Sequence, residues 1–282
     1  MSLSPSSSAQ AAREAIASRL RTLKAEAQLK GSELAARCGW SESKVSRITH
    51  TKTPPSDDDI LRWCVACGAE DQAADIIAAN RQADEMYVQW RKVHRDGMKR
   101  AQDAEMERLE QTRLTRVYYS NVIPGVTQRR GYATSLMTAI TRFQETPNDV
   151  DAAVESRVAR SNLFRRANHR FAMVLEETVL HYPFGDADAM REQLGFLLEI
   201  MRLPRVSLGI IPRNAPREMW PLEAFYIYDD RQVMAELLSA VVTITTPGEI
   251  ASYDKAFKIL AGMAVYGPRA RHLIQQAIHS FE

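Results

Sequence analysis

The sequence predicts an α+β protein: an all-α N-terminal domain of five helices at residues 1–80, a helical connector at 81–113, and a mixed α/β domain at 114–282. Three observations predict it. Up to about residue 97, apolar positions recur at helical spacing, interrupted by cap and turn residues. From residue 114 the character changes to short β-branched or aromatic runs bounded by turn signals, with helical patterns between them. And 282 residues are enough for about two domains of ~100–200 residues each.

The first helix covers 9–28, where Ile16, Leu20, Leu23 and Ala27 share a face. Ser32 is placed to cap a second, "SELAARC", and Ser41 a third, "ESKVSRI". Pro54 and Pro55 break the chain in the loop "HTKTPPSDDD". Ser56 or Asp57 then caps a fourth helix, "DDILRWCVAC", which ends near Gly68. A fifth starts near Glu70 and is expected to run through "DIIAANRQADEMYVQWRKVHRD" to about Gly97, followed by a charge-rich helix at 98–113. Beyond it "TRVYYSN", "FAMVLEE", "RVSLGII", "AFYIYDD", "QVMAEL" and "AVVTITT" read as strands. Residues 127–141, 149–165, 187–202, 247–265 and 268–280 read as helices.

Composition is that of an ordinary globular protein, 45% hydrophobic and 26% charged, and the net charge of +2 confines any nucleic-acid footprint to one region. That region is the start of the chain. In residues 1–56 nine Lys/Arg face four acids, a balance of +5, which Asp57, Asp58 and Asp59 reduce to +2. "MSLSPSSSAQ" lacks the apolar stretch of a signal peptide, and "LLSAVVTI" is too short to span a membrane. Three cysteines, an odd number, point to a reducing compartment, so a cytoplasmic protein is expected, nucleoid-associated when bound to DNA.

Residues 32–49, "SELAARCGWSESKVSRIT", carry a helix-turn-helix pattern. Where the second helix crosses the first, close approach demands a small residue, and Ala35 stands there. The turn needs a residue tolerant of positive φ, supplied by Gly39. Val45 and Ile48, three apart, face back into the core. Spacing, turn glycine, cap and positive charge agree; an ordinary helical hairpin is the alternative.

With "PPS" and "CVACGA" following it, "GSELAARCGWSESKVSRI" resembles the phage-repressor-type (XRE) helix-turn-helix family of transcriptional regulators. The resemblance implies that the start of the motif's second helix enters the major groove of a double-stranded DNA operator. It places Glu42, Ser43 and Arg47 at base edges. It places Ser41, Lys44, Lys52 and Thr53 at the phosphate backbone, helped by the helix N-terminus. Glu42 stands where the family often has Gln, and a carboxylate accepts from cytosine N4 but offers no donor. Thr49 replaces a common Glu, so an internal ion pair of the family is expected to be missing.

The remainder lacks a P-loop, G-x-G-x-x-G, H-E-x-x-H or G-x-S-x-G, so the chain is expected to be no enzyme and to need no cofactor or metal. Cys64 and Cys67 have C-x-x-C spacing but read as small buried hydrophobes on a packed helix. The six histidines show no ligand spacing, Asp57–Asp59 read as helix-capping charge, and Tyr87 and Trp90 read as core or subunit contacts. Pro124-Gly125 makes a turn into a helix. Arg157 and Arg160, three apart on one helical face, could clamp an anion or a carboxylate such as Glu177 or Glu236, with an internal ion pair the expected role.

"VIPGVTQRRGYA", "ESRVARSNLF", "VLEETVL", "REQLGFLLEIMRLPRVSLGIIP" and "VMAEL" occur in that order and are similar to the domain of unknown function 5753 of antitoxin-like bacterial regulators. Pro124, Gly125, Gln128, Tyr132 and Ala133 match its signature; Thr127, Arg129 and Ser161 depart from it. The resemblance implies a homodimer and a short partner protein encoded by a neighbouring gene, of the domain of unknown function 397 type. The expected function is an antitoxin-like transcriptional regulator whose C-terminal domain dimerises and binds that partner, which modulates operator binding. The alternative is a one-component regulator whose C-terminal domain senses a small molecule. An exposed apolar patch would mark the first, a deep apolar pocket the second.

Overall fold

The computed structural model describes residues 5–245 and 247–282. They divide into two compact units, Met1–Val88 and Gln89–Glu282, and the α+β class is as expected. The division falls inside the stretch read as a connector, and residues 89–113 pack as part of the second unit.

The first unit is helical: α1 (Pro5–Glu26), α2 (Gly31–Cys38), α3 (Glu42–Thr49), α4 (Asp57–Cys67) and α5 (Ala73–Met86). Its core joins Ile16, Leu20 and Leu23 of α1 to Leu34, Val45, Ile48, Ile60 and Trp63. Trp63 is fully buried, and its indole N–H would be costly unpaired; it donates to Leu20 O at 3.0 Å. Ser56 caps α4 reciprocally with Asp59: Ser56 Oγ accepts from Asp59 N at 3.2 Å, and Asp59 Oδ2 accepts from Ser56 N at 3.1 Å.

Two expectations shift here. The cap of α2 is Lys30, with extended backbone, rather than Ser32; the Glu33 carboxylate reaches back to Lys30 N at 2.7 Å. The long fifth helix ends at Met86, because "YVQ" turns extended as strand β1 (Tyr87–Gln89) before the one-turn helix α6 (Trp90–Val93). Tertiary hydrogen bonds outweigh the helical period there. Trp90 N donates to Ser239 O at 3.1 Å and its Nε1 to Leu237 O at 2.8 Å. The Tyr87 side chain lies outside the described residues; Trp90 stacks on His94.

The second unit continues with α7 (Lys99–Gln111), β2 (Leu114–Tyr119), α8 (Arg130–Gln144) and α9 (Val150–Ala159), which runs into a 3-10 turn at Arg160–Arg165. Then come β3 (Arg170–Glu176), α10 (Ala187–Ile200), β4 (Val206–Ile211), β5 (Ala224–Tyr228), β6 (Gln232–Glu236), β7 (Ala240–Ile244), α11 (Pro247–Met263) and α12 (Gly267–His279). The six strands expected from the sequence are these. Their order is β7-β6-β5-β2-β3-β4. β2, β3 and β4 are parallel, joined by helical crossovers, and β2-β5-β6-β7 are antiparallel, the last three joined by short turns.

Register sets what each face carries. Val117 lies between Met173 and Tyr226, and these side chains pack under α7, α8, α10 and α12 through Leu109, Tyr132, Leu194 and Ile274. Tyr118 and Phe225 alternate to the other face, where Phe225 meets Tyr253 of α11 edge-on. All five residues of β5 are buried, as a strand covered on both faces must be. The start of α7 is fixed by a distant carboxylate: Asp149 accepts from Met98 N at 2.7 Å and Lys99 N at 2.8 Å. Gly97, at φ 100°, lets that carboxylate in, because a Cβ would sit 2.4 Å from Asp149 Oδ2.

Candidate nucleic-acid interface

The interface is built around the turn between α2 and α3. Gly39 adopts φ 70°, ψ 35°, the left-handed conformation that ends α2, and Trp40 N donates back to Ala35 O at 2.8 Å. Ser41 then caps α3, its Oγ accepting from Lys44 N at 3.4 Å. Ala35, Val45 and Ile48 are buried at 2–3% exposure, so the inward face of the motif is as the spacing predicts. Trp40 closes the turn against Trp63, ring centroids 6.4 Å apart.

The opposite face of α3 is open. Ser41, Glu42, Ser43 and Arg47 are solvent-exposed, as are Lys52 and Thr53 in the following loop. Arg47 Nη1 donates to Ser43 Oγ at 3.0 Å, which aligns the guanidinium along the helix and leaves it free to reorganise in solvent. Backbone amides of Lys52 and Thr53 donate to Arg47 O at 2.9 and 3.3 Å, so the loop that carries them is fixed to the end of α3. The structure therefore gathers Ser41, Glu42, Ser43, Arg47, Lys52 and Thr53 around one short helix.

Lys44 differs from its neighbours. Its ammonium lies 2.6 Å from Asp59 Oδ1 and 4.4 Å from the centre of the Trp40 ring, tying α3 to α4. Burial would raise the Asp59 carboxyl, but the hydrogen bonds from Lys44 and Ser56 prevail and hold it below the ordinary value. A phosphate would compete with Asp59 and Trp40 for this ammonium. Arg21 also serves the motif: Nη1 donates to Thr49 O at 2.6 Å, at the end of α3. The same guanidinium pairs through Nη2 with Glu14 of its own helix, so Arg21 joins α1 to the end of α3 through a backbone carbonyl. Sequence reasoning missed Arg21 and Asp59. The Ser56-x-x-Asp59 capping box is a local signal for Asp59; nothing local marks Arg21, 28 residues from its acceptor.

Cys38 and Cys64 are buried and Cys67 is half-buried, all three as free thiols, consistent with packing. Burial pushes the Cys67 thiol up to about 11, with the neighbouring cysteines adding to the effect. Among the described residues no group of His, Cys, Asp or Glu is placed to hold a metal ion, and no helix is long and apolar enough to cross a membrane.

In the second unit the expected ion pairs of Arg157 and Arg160 are not formed. Glu177 instead meets Arg213, accepting its backbone N–H at 2.9 Å, and Glu236 accepts from the Tyr119 hydroxyl at 2.8 Å. The two arginines turn to amides: Gln102 Oε1 accepts from Arg157 Nε at 2.9 Å and from Arg160 Nη2 at 2.7 Å. The Pro124-Gly125 turn packs against both guanidiniums. A bidentate pair that sequence reasoning did not anticipate joins Arg217 to buried Glu176, both bonds at 2.7 Å, with the Tyr118 hydroxyl also donating to Glu176.

Comparison with known proteins matches two models. A helix-turn-helix domain model matches residues 15–75, and the model described as "Domain of unknown function (DUF5753)" matches residues 102–276. No curated protein matches the chain. Among solved structures, the chain is similar to TrmBL2, described as an archaeal chromatin protein with a novel mode of DNA binding. The identity is 12% and the TM-score 0.33, over 71% of this chain and 62% of that one. The chain thus spans less than two thirds of that protein's length.

Proposed function

The chain belongs to the family defined by the domain of unknown function DUF5753, with a helix-turn-helix domain ahead of it, and from that premise we propose that it is a sequence-specific DNA-binding transcriptional regulator. The observation that carries the reading is the two-sided α3. Val45 and Ile48 lock it into the core, while Glu42, Ser43 and Arg47 stand free on the outer side for base edges. Lys52 and Thr53, with the α3 N-terminus at Ser41, suit backbone phosphates.

The second unit, in this reading, dimerises and receives a short partner protein, as in antitoxin-like regulators, and works in the cytoplasm. One head buries little surface on DNA, and two heads on adjacent half-sites reach the affinity that regulation needs. Trp220, 63% exposed, and Leu238, 79% exposed, are apolar side chains that a partner could cover.

The test is a fluorescence-anisotropy titration of the full chain against duplexes enriched from a random library, alone and with the short protein encoded beside it. Specific binding about 1,000-fold tighter than to scrambled duplex, altered by the partner, supports the proposal. Equal binding to both duplexes defeats the regulator reading; unchanged binding and mass with the partner defeats the partner reading alone.

A further inference from the structure

A cleft of about 390 Å³ opens beside the carboxyl end of β4, between the loop that leaves the strand and the start of α12. Its floor is apolar: Pro212, Val265 and Leu273, all half-buried. Its rim is polar: Asn214 on the loop side, Arg269 and His272 on the helix side, all solvent-exposed. The size falls within the range of small-molecule sites, and an apolar floor with a few polar groups around it is the composition such sites use.

Both walls are held in place. Val265 is fixed to the edge of β4 by a reciprocal pair of backbone bonds: Ile210 N donates to Val265 O at 3.0 Å, and Val265 N to Ile210 O at 2.8 Å. Gly209 permits this approach, because a Cβ there would sit 2.6 Å from the Tyr266 ring that lies against the strand. On the other side the loop 212–223 is pinned along its length. Glu177 accepts from Arg213 N, the bidentate Arg217–Glu176 pair ties the loop to the end of β3, and Leu222 O accepts from Ser120 Oγ at 2.7 Å. A ligand therefore meets a formed cleft and need not order the chain that makes it.

The charge around the cleft is one-sided. No acid lines it, and α12 contains none from Gly267 to His279. Arg269 and His272, three apart on one face of that helix, have no ion pair or hydrogen bond among the described residues. The acids about the loop wall are accounted for: Glu176 and Glu177 are buried and paired with Arg217 and Arg213, and Glu218 and Glu223 do not line the cleft. Free cations are ordinary on a solvated helix face. Here they border an uncovered apolar floor, so one molecule can gain from both, whereas an inorganic anion gains only from the charge.

We propose that this cleft binds a small amphipathic carboxylate, its apolar body on Pro212, Val265 and Leu273 and its acid group received by Arg269 and His272. The guanidinium presents a paired N–H edge to the carboxylate, and the imidazole keeps one N–H donor even when neutral. The site lies outside the helix-turn-helix head and stands or falls independently of the regulator reading.

The test is calorimetric titration of the full chain at constant pH and ionic strength. Octanoate is the probe, acetate supplies its acid group alone, and octylammonium supplies the same chain with the opposite charge. Octanoate is expected to bind one site per chain, at least about tenfold tighter than either control. Arg269→Gln is expected to weaken octanoate about fivefold or more, and Asn214→Trp, which fills the cleft from the loop side, to do the same. Both positions are exposed, so neither change should move the melting temperature. Arg271→Gln, on the same helix but outside the lining, should leave binding within about twofold. No saturable heat with octanoate, equal affinity for octylammonium, or equal losses in Arg269→Gln and Arg271→Gln would overturn the proposal.

Discussion

The Lys44–Asp59 contact makes a prediction that separates a structural lysine from a DNA-contacting one. Nζ and Oδ1 are 2.6 Å apart, with the Lys44 side chain 35% and the Asp59 side chain 13% exposed. A pair at this depth lies at the upper end of surface ion pairs, giving a coupling of about 1 kcal/mol between Lys44→Met and Asp59→Asn. Lys44→Met alone loses about 0.5 kcal/mol more from the Trp40 ring contact. Hydrogen exchange of the α2–α4 amides in the full chain measures both, because it reads local opening of the head without unfolding the rest. The sign with pH follows from Asp59. Its carboxyl is held below the ordinary value in the folded state, so the stabilisation is complete above the unfolded value of about 4 and is lost as pH falls through the lower, folded one. A coupling within about 0.2 kcal/mol of zero at pH 7 would refute the reasoning. So would a salt slope of DNA binding reduced by about 1 in Lys44→Met, as expected instead for Lys52→Ala, since that is the mark of a lost phosphate contact.

Three further outcomes are expected. Arg47→Ala should cost about 1–3 kcal/mol on the preferred duplex and little on scrambled DNA, relaxing sequence choice; a titration showing undiminished binding to the preferred duplex removes Arg47 from the base-reading set. Gly39→Ala should destabilise the head by about 1 kcal/mol from backbone strain alone, because at φ 70° a Cβ there meets nothing within 4 Å; exchange rates of α2 and α3 amides matching the unaltered chain would contradict it. With its thiol pushed up to about 11, Cys67 should react with a disulfide reagent at pH 8 on the order of 100-fold more slowly in the folded than in the urea-unfolded chain, and equal rates would show the thiol to be unshielded.

The head was legible because its determinants are local. Ala35, Gly39, Val45 and Ile48 lie within 14 consecutive positions, and each does what a short-range rule requires. The six strands of the second unit were legible for the same reason, as β-branched runs between turns. What failed was tertiary. The helix continuing past Met86 lost to hydrogen bonds from Trp90 to Ser239 and Leu237, about 150 residues away in sequence. For Lys44 the unread part was its contact with Asp59 and Trp40, made across the fold from α4 and the turn. Arg157 and Arg160 were expected to meet carboxylates, but Gln102 arrives first from α7, and no spacing on α9 encodes that.

Glu42 tests the central claim most directly. It is exposed at the first position of α3, where the proposed function puts a base-reading side chain, and its carboxylate accepts hydrogen bonds where a glutamine would both donate and accept. The measurement is parallel enrichment of random duplexes by the full chain and by its Glu42→Gln variant, with sequencing of both pools. The expected result is one shared motif that differs at a single position per half-site, cytosine with Glu42 and adenine with Gln. Pools without a motif, or two identical motifs, would contradict the account of α3 as the reading helix.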